Sequence, residues 1–117
     1  MTLNRIFKKF IEGWRNKLVS WYRRAYKEVE IDHPEVTSHF KELTVAVERP
    51  FCVYEDLKRS DRYCYYNVFS GDHKYPNMHM KVVIEESYFG KLRVITAYFD
   101  SNIKESNSGK LLWSRKN

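Results

Sequence analysis

The chain has 117 residues with a net charge of +6, 43% hydrophobic and 16% aromatic residues, four Gly and three Pro. This length suits one hydrophobic core, and the composition excludes a disordered or low-complexity chain. Cys52 and Cys64 are too few for a disulfide scaffold, and charges interrupt every apolar run, which excludes a signal peptide or a spanning helix. We therefore expect a single soluble, cytoplasmic domain with two free, buried thiols.

The positive charge is concentrated at the N-terminal end. Residues 1–30 hold eight Lys or Arg against three Glu, so the rest of the chain is nearly neutral. Such a field suits a polyanion or an acidic surface, and a solvated basic helix without a partner fits the charge equally well. We divide the chain into a basic segment, residues 1–30, and a main part, residues 31–117.

The first predicted element is a long amphipathic helix over residues 3–27. Its apolar residues recur at spacings of three and four, the period of one helical face: Leu3, Phe7, Phe10, Trp14, Leu18, Trp21 and Ala25. Gly13 in its middle weakens such a helix by about 1 kcal/mol relative to Ala. We expect this face to dock on a sheet or to hold a protein partner or inhibitor. We do not expect contact with a membrane surface.

The remaining elements change from helical to strand-like periodicity. A second helix is predicted to begin after Pro34 and to end at Arg49-Pro50, because proline permits a helix start and prevents continuation. Alternation and aromatic or β-branched composition predict strands over residues 51–56, 62–69, 78–87, 92–100 and 111–113, separated by polar loops that include 70–77 and 101–110. The predicted fold class is α+β, with two N-terminal helices packed on a curved antiparallel sheet of about four strands.

Several segments, taken in this order, carry a resemblance to a known family. They are His33-Pro34-Glu35-Val36 before a helix, Arg49-Pro50 after it, Arg62 with Tyr65-Tyr66, Met80 to Ile84, Val94 to Tyr98, and Gly109-Lys110 before Leu112-Trp113. In this pattern, residues 30–113 resemble the small phage-associated nuclease domains of the barnase–EndoU–colicin–RelE-like fold. The resemblance implies a helical layer on a curved antiparallel sheet, RNA as substrate, no metal cofactor, and a phage, mobile-element or toxin context.

Metal-free RNA cleavage needs a base for the 2′-hydroxyl, an acid for the leaving oxygen and cations for the phosphate. His33 is the candidate base or acid, because imidazole serves either role near neutral pH. Arg62 is the candidate phosphate clamp, and Lys81 is a cation that interrupts an apolar strand. Thr96 and Tyr98 share a strand face by the two-residue period. These five residues are the predicted catalytic set.

The predicted substrate-binding residues are basic or aromatic: Lys58, Arg59, Tyr65, Tyr66 and Trp113. Aromatic residues interleaved with basic ones also stack single-stranded bases without cutting the strand. A non-cleaving RNA binder and a catalytically inactive interaction module therefore remain as alternatives. The sequence contains no Gly-rich phosphate loop, no GxSxG, no HExxH and no EF-hand loop, so it offers no support for the chemistries of those motifs.

Overall fold

The computed structural model describes residues 6–69, 78–101 and 108–115. Within these ranges the elements are, in chain order, β1 (Ile6–Glu12), β2 (Lys17–Tyr22), α1 (Arg23–Asp32), α2 (Pro34–Thr37), α3 (Phe40–Glu48), β3 (Cys52–Asp56), β4 (Arg62–Phe69), β5 (Met78–Glu86), β6 (Leu92–Asp100) and β7 (Ser108–Ser114). All these strands join one sheet in the order β1-β2-β6-β5-β4-β3-β7.

The predicted fold class, α+β with two N-terminal helices on an antiparallel sheet of about four strands, is wrong. The described residues contain seven strands and three helices, and the sheet is mixed because β2 pairs with β6 in parallel. The error lies mainly in residues 6–22, where the predicted long helix is an antiparallel hairpin of β1 and β2. Residues 3–5 of that predicted helix lie outside the described residues.

The hairpin follows a two-residue burial period. Phe10 and Glu12 are buried on β1, and Val19 and Trp21 are buried on β2, while Ile11 between the first pair is exposed. Such alternation is that of a strand with one face in the core. The loop between the strands places Asn16 at a φ of 54°, a left-handed conformation that Asn tolerates better than most residues.

The central strands agree with the prediction. β4 and β6 have the predicted bounds, and β3 and β5 differ from theirs by one residue. These segments are rich in Tyr, Val and Ile, which favour a pleated, half-buried surface. The predicted short strand 111–113 is the middle of a longer edge strand, β7, so residues 108–110 of the predicted loop are also strand. The predicted loop 70–77 lies outside the described residues, as do residues 102–107 of the predicted loop 101–110.

The predicted second helix is split into α2 and α3. Pro34 occupies the first turn of α2 as expected. The hydroxyls of Thr37 and Ser38 donate to the carbonyl oxygens of Pro34 and Glu35 at 3.0 and 2.9 Å. Such side-chain bonds compete with helix propagation and accompany the end of α2. α3 ends at Glu48, next to Arg49-Pro50, as predicted.

The sheet has two different faces. The helix face carries the main core, in which residues of the helices pack against alternate strand residues, including Val29, Val36, Leu43, Val47, Val53, Tyr65 and Val82. The other side, here called the outer face, carries a smaller buried cluster of Cys52, Cys64 and Tyr66. Both cysteines are buried and neither forms a disulfide, as predicted. Burial raises the pKa of the Cys52 thiol to about 11, so this thiol is poorly nucleophilic at neutral pH.

Candidate functional site

Lys81 lies on the outer face with only 4% of its surface exposed. It is the direct cross-strand neighbour of Tyr66 on β4 and of Tyr98 on β6. Its Nζ lies 5.7 Å from the centroid of the Tyr66 ring and 5.2 Å from that of Tyr98. These distances are within the range of cation–π attraction, so two aromatic rings flank a buried cation.

Burial opposes the charge of Lys81, but the surrounding groups reverse the outcome. A side-chain hydrogen bond with Tyr98, together with the Cys64 thiol and the Tyr66 and Tyr98 phenols, raises the pKa of the ammonium above its ordinary value. Lys81 therefore stays protonated at neutral pH. A fixed cation with little access to water interacts strongly with an anion brought next to it.

His33, at the junction of α1 and α2, contacts Tyr98, the neighbour of this cation. Its imidazole centroid lies 5.6 Å from that of the Tyr98 ring. Its Nδ1 lies 3.5 Å from Oε1 of Glu35, in the first turn of α2. A carboxylate at Nδ1 orients an imidazole and leaves Nε2 for another partner. Glu35, His33, Tyr98 and Lys81 therefore form a chain of polar groups, of which the sequence analysis had missed Glu35.

A cleft of about 600 Å³ opens at Lys81 and Tyr98. Its lining also includes Asp56, Lys58, Met78 and Asp100. The Asp56 carboxylate accepts hydrogen bonds from the backbone N–H groups of Lys58 and Arg59 at 3.1 and 3.0 Å. These bonds turn the loop after β3 and place Lys58 in the lining. The cleft has the volume of a small-ligand site.

Arg62 does not join this cluster. Its Nε donates to Oε2 of Glu85 at 3.2 Å, and Arg93 donates to Oε1 of the same carboxylate at 2.6 Å. Arg59 lies 3.7 Å from Glu85 and also pairs with Asp61. Glu85 is four residues beyond Lys81 on β5, roughly 13 Å at about 3.3 Å per residue. Burial raises the pKa of Glu85, but the hydrogen bonds from Arg93 and Arg62 outweigh this effect and hold the pKa below its ordinary value.

The other predicted residues are divided between the two faces. Thr96 pairs with Val83 on the outer face, and Tyr98, two residues later, lies on the same face. The prediction that Thr96 and Tyr98 share a strand face is therefore confirmed. Tyr65 is fully buried in the main core, and Trp113 packs against that core. The structure therefore places Lys58, Lys81 and Tyr98 around one cleft. Tyr66 lies beside Lys81, and His33 contacts Tyr98 but is not among the residues that line the cleft. The structure leaves Arg59, Arg62, Tyr65 and Trp113 away from the cluster.

A second cluster of ionisable groups holds the β1–β2 hairpin against the helix face. Glu12 is fully buried, accepts a hydrogen bond from the Tyr65 hydroxyl, and lies 3.5 Å from the Arg15 guanidinium. Arg15 also donates to Glu86 at 3.1 Å and stacks 4.8 Å from the Tyr63 ring centroid. The second oxygen of Glu12, Oε2, has no hydrogen-bond partner among the described residues. No periodic signal in the sequence distinguished Glu12 from a surface glutamate.

Replacing Glu12 by Gln tests this cluster through the pH dependence of stability. Burial raises the pKa of Glu12, although Arg15 and Lys17 oppose the shift. The folded state therefore binds a proton more readily than the unfolded state, and the wild type loses stability as pH rises above the ordinary glutamate range. The free energy of unfolding of the wild type, relative to Glu12→Gln, should fall as the pH rises above about 4. Urea titrations at several pH values measure this difference.

Glu30→Gln, an exposed substitution on α1, is the matched control and should follow the wild type at every pH. Glu85 and Glu86, whose pKa values are lowered, titrate in all three proteins and largely cancel. A wild-type minus Glu12→Gln difference that rises with pH would show that Arg15 outweighs burial at Glu12.

The described residues thus form a seven-stranded mixed sheet with a buried cation, Lys81, on its outer face and with His33 against the neighbouring Tyr98. No family model, no curated protein and no solved structure matches the chain. None of the described helices has the length and apolar character needed to cross a membrane. In the described ranges, no group of three or more His, Cys, Asp or Glu is arranged to hold a metal ion.

Proposed function

We propose that the protein is a metal-independent endoribonuclease whose site is the cleft at Lys81. The observation that carries the proposal is the buried, protonated Lys81 between Tyr66 and Tyr98, with His33 beside Tyr98. A cation of this kind suits a phosphate, the flanking rings suit nucleobases, and the imidazole suits proton transfer. The family resemblance of residues 30–113 points to the same substrate class.

The proposed reaction is attack of a ribose 2′-oxygen on the adjacent phosphorus. His33 takes the 2′-hydroxyl proton on Nε2, while Glu35 at Nδ1 holds the ring and stabilises the imidazolium that forms. The new 2′-O–P bond forms as the P–O5′ bond breaks, which gives a 2′,3′-cyclic phosphate and a 5′-oxygen. Tyr98, whose ring lies next to the imidazole of His33, supplies the proton that the 5′-oxygen needs.

Lys81 stabilises the negative charge that gathers on the phosphoryl oxygens in the transition state. Because its charge is held by the hydrogen bond with Tyr98 against the effect of burial, and its side chain is fixed between two rings, little reorganisation is needed during the reaction. Lys58 adds a second cation at the cleft, and the Tyr66 ring borders the cation from the other side. The need for a 2′-hydroxyl makes RNA, not DNA, the substrate.

The first test is cleavage of a mixed-sequence RNA in EDTA. The wild type should release 2′,3′-cyclic phosphate ends, and His33→Ala should be at least about tenfold slower, because general acid–base catalysis contributes about 10²–10⁴-fold. Glu35→Gln should also be slower, whereas Glu30→Gln, its exposed counterpart on α1, should cleave like the wild type. Circular dichroism of each variant checks that it is folded.

Three outcomes would contradict the nuclease. They are no cleavage by folded wild type, cleavage that EDTA abolishes, and cleavage that His33→Ala leaves unchanged. If the wild type binds RNA in the cleft without cleaving it, the Lys81 cation and its two rings support the non-cleaving single-stranded RNA binder instead.

A further inference from the structure

A groove of about 760 Å³ lies on the outer face of β1, β2 and the start of β6. Four cations line it: Lys9, Lys17, Lys91 and Arg93. Glu85 is the acidic residue of this lining, and its two oxygens already accept hydrogen bonds from Arg93 and Arg62. The groove is therefore strongly positive.

Two of the four cations, Lys9 and Lys91, remain available to bind a partner, whereas the other two are engaged with acidic residues. Lys17 lies 3.5 Å from Glu86, and Arg93 is bound to Glu85. Lys9 and Lys91 are exposed, and neither forms an ion pair with any residue of the described ranges. Solvated lysines on a groove wall, next to the apolar side chains of Ile6 and Leu18, fit a polyanion that also carries apolar groups.

A smaller cavity of about 230 Å³ adjoins the groove along β6. It shares Tyr22 and Arg93 with the groove, and adds Arg24, Glu28 and Ile95. It exists because β2 pairs with β6 only at Leu92 and Arg93, so that α1 takes the place of a strand beside the rest of β6. α1 ends next to His33, which contacts Tyr98.

The two sites are therefore connected along one strand. Arg93 and Tyr98 both belong to β6, five residues apart, roughly 16 Å at about 3.3 Å per residue. Arg24 and Arg93 line the smaller cavity, where the exposed Glu28 lies 3.8 Å from Arg24. Site sizes of about 4–16 nucleotides are usual where single strands lie on a sheet. The spacing suits several nucleotides of one strand.

We propose that a single RNA strand extends from the Lys81 cleft along β6 into this basic groove, where Lys9 and Lys91 contact its phosphates. The proposal rests on the proposed function, since it assigns an extended substrate to the same site. Tyr88 and Phe89, 97% and 84% exposed on the turn beside Lys91, supply rings on which a base at the far end of the strand stacks.

The test is binding of 2′-O-methyl RNA, which cannot be cleaved, to the full chain. Lys9→Gln/Lys91→Gln should weaken binding of a twelve-nucleotide strand by about tenfold at low salt and reduce its salt slope by about 1.4, since each phosphate contact on a single strand contributes about 0.7. Binding of a trinucleotide should change by less than about twofold, because a short ligand is held at Lys81 alone. Fluorescence anisotropy measures both affinities.

Lys27→Gln/Lys41→Gln is the matched control, since it removes the same charge from exposed residues of α1 and α3 that line neither cavity. An equal loss of RNA affinity in the control, or no loss of affinity in Lys9→Gln/Lys91→Gln, would overturn the proposed RNA path along the groove. The proposed RNA path would also be overturned if the protein bound phosphatidylserine vesicles through Tyr88 and Phe89 and did not bind RNA. If RNA binds as expected but the wild type never cleaves it, the result would support the proposed RNA path and would overturn only the proposed ribonuclease activity.

Discussion

Lys81→Met should lower RNA cleavage in EDTA by about 100- to 1000-fold, the usual effect of removing one preorganised group that stabilises transition-state charge. Met is an apolar side chain of about the same length as Lys, so it fills the same space between Tyr66 and Tyr98. The groups that raise the pKa of Lys81 favour its charged form, so loss of this charge and of its hydrogen bond with Tyr98 should also lower the free energy of unfolding, by about 1–3 kcal/mol. Cleavage should fall by far more than the folded fraction, and paired kinetic and urea measurements show both.

Two further variants, one at Lys81 and one at Tyr98, separate the effect of the Lys81 charge from the effect of packing around it. Lys81→Arg keeps the charge but not the point geometry of the ammonium, so we expect partial activity. Tyr98→Phe keeps the ring and removes the hydroxyl that bonds to Lys81, so it should also be slower than the wild type. Because the pKa of Lys81 is raised, Lys81 keeps its charge in mildly alkaline solution. Loss of this charge should therefore not lower the cleavage rate below about pH 10. Wild-type rates in Lys81→Met would show that the cleft is not the site.

Gly13→Ala should lower the free energy of unfolding by about 3 kcal/mol, at the upper end of the usual range for overpacking. Gly13 lies on the hairpin loop against the C-terminal end of α3, where an added Cβ would overlap the Glu48 carbonyl oxygen and lie 3.1 Å from its carbonyl carbon. Both atoms belong to the backbone, so neither can move aside without shifting α3. The Ile11 N–H also donates to the Glu48 carboxylate at 3.2 Å, which fixes the same contact. Urea denaturation measures the change.

The sign of this effect distinguishes the hairpin from the helix that the sequence predicts over residues 3–27. In a helix, Gly13→Ala would raise stability by about 1 kcal/mol. Gly90→Ala is a useful control, because Gly90 has a φ of 78° but its added Cβ would meet only a side-chain oxygen at 3.8 Å. It should lose about 1 kcal/mol from the left-handed backbone alone. A stabilised Gly13→Ala protein would refute the contact between hairpin and α3.

The residues of the candidate site were only partly readable from the sequence. Lys81 stood out because a cation interrupts an apolar strand, and the two-residue period placed Thr96 and Tyr98 together. Arg62 carried the same local signal as a phosphate clamp, but its cross-strand partner is Glu85, which neutralises it. Tyr65 and Tyr66 are adjacent, so they lie on opposite faces, and strand register sends Tyr65 to the core. Pairing between strands, which a single sequence does not display, decided both cases.

The sequence by itself determined the strands at 62–69 and 92–100, the helix start at Pro34 and the helix end before Pro50. Each of these depends on local propensity or on the fixed φ of proline. Only the tertiary structure decided that residues 6–22 form a hairpin, because the spacing of Phe10 and Trp21 suits either a helical or a strand face. It also decided the burial of Glu12 under Tyr65 and the approach of His33 to Tyr98, which are contacts between residues more than fifty positions apart. Such contacts arise from the burial of apolar surface by the whole chain, which no local pattern encodes.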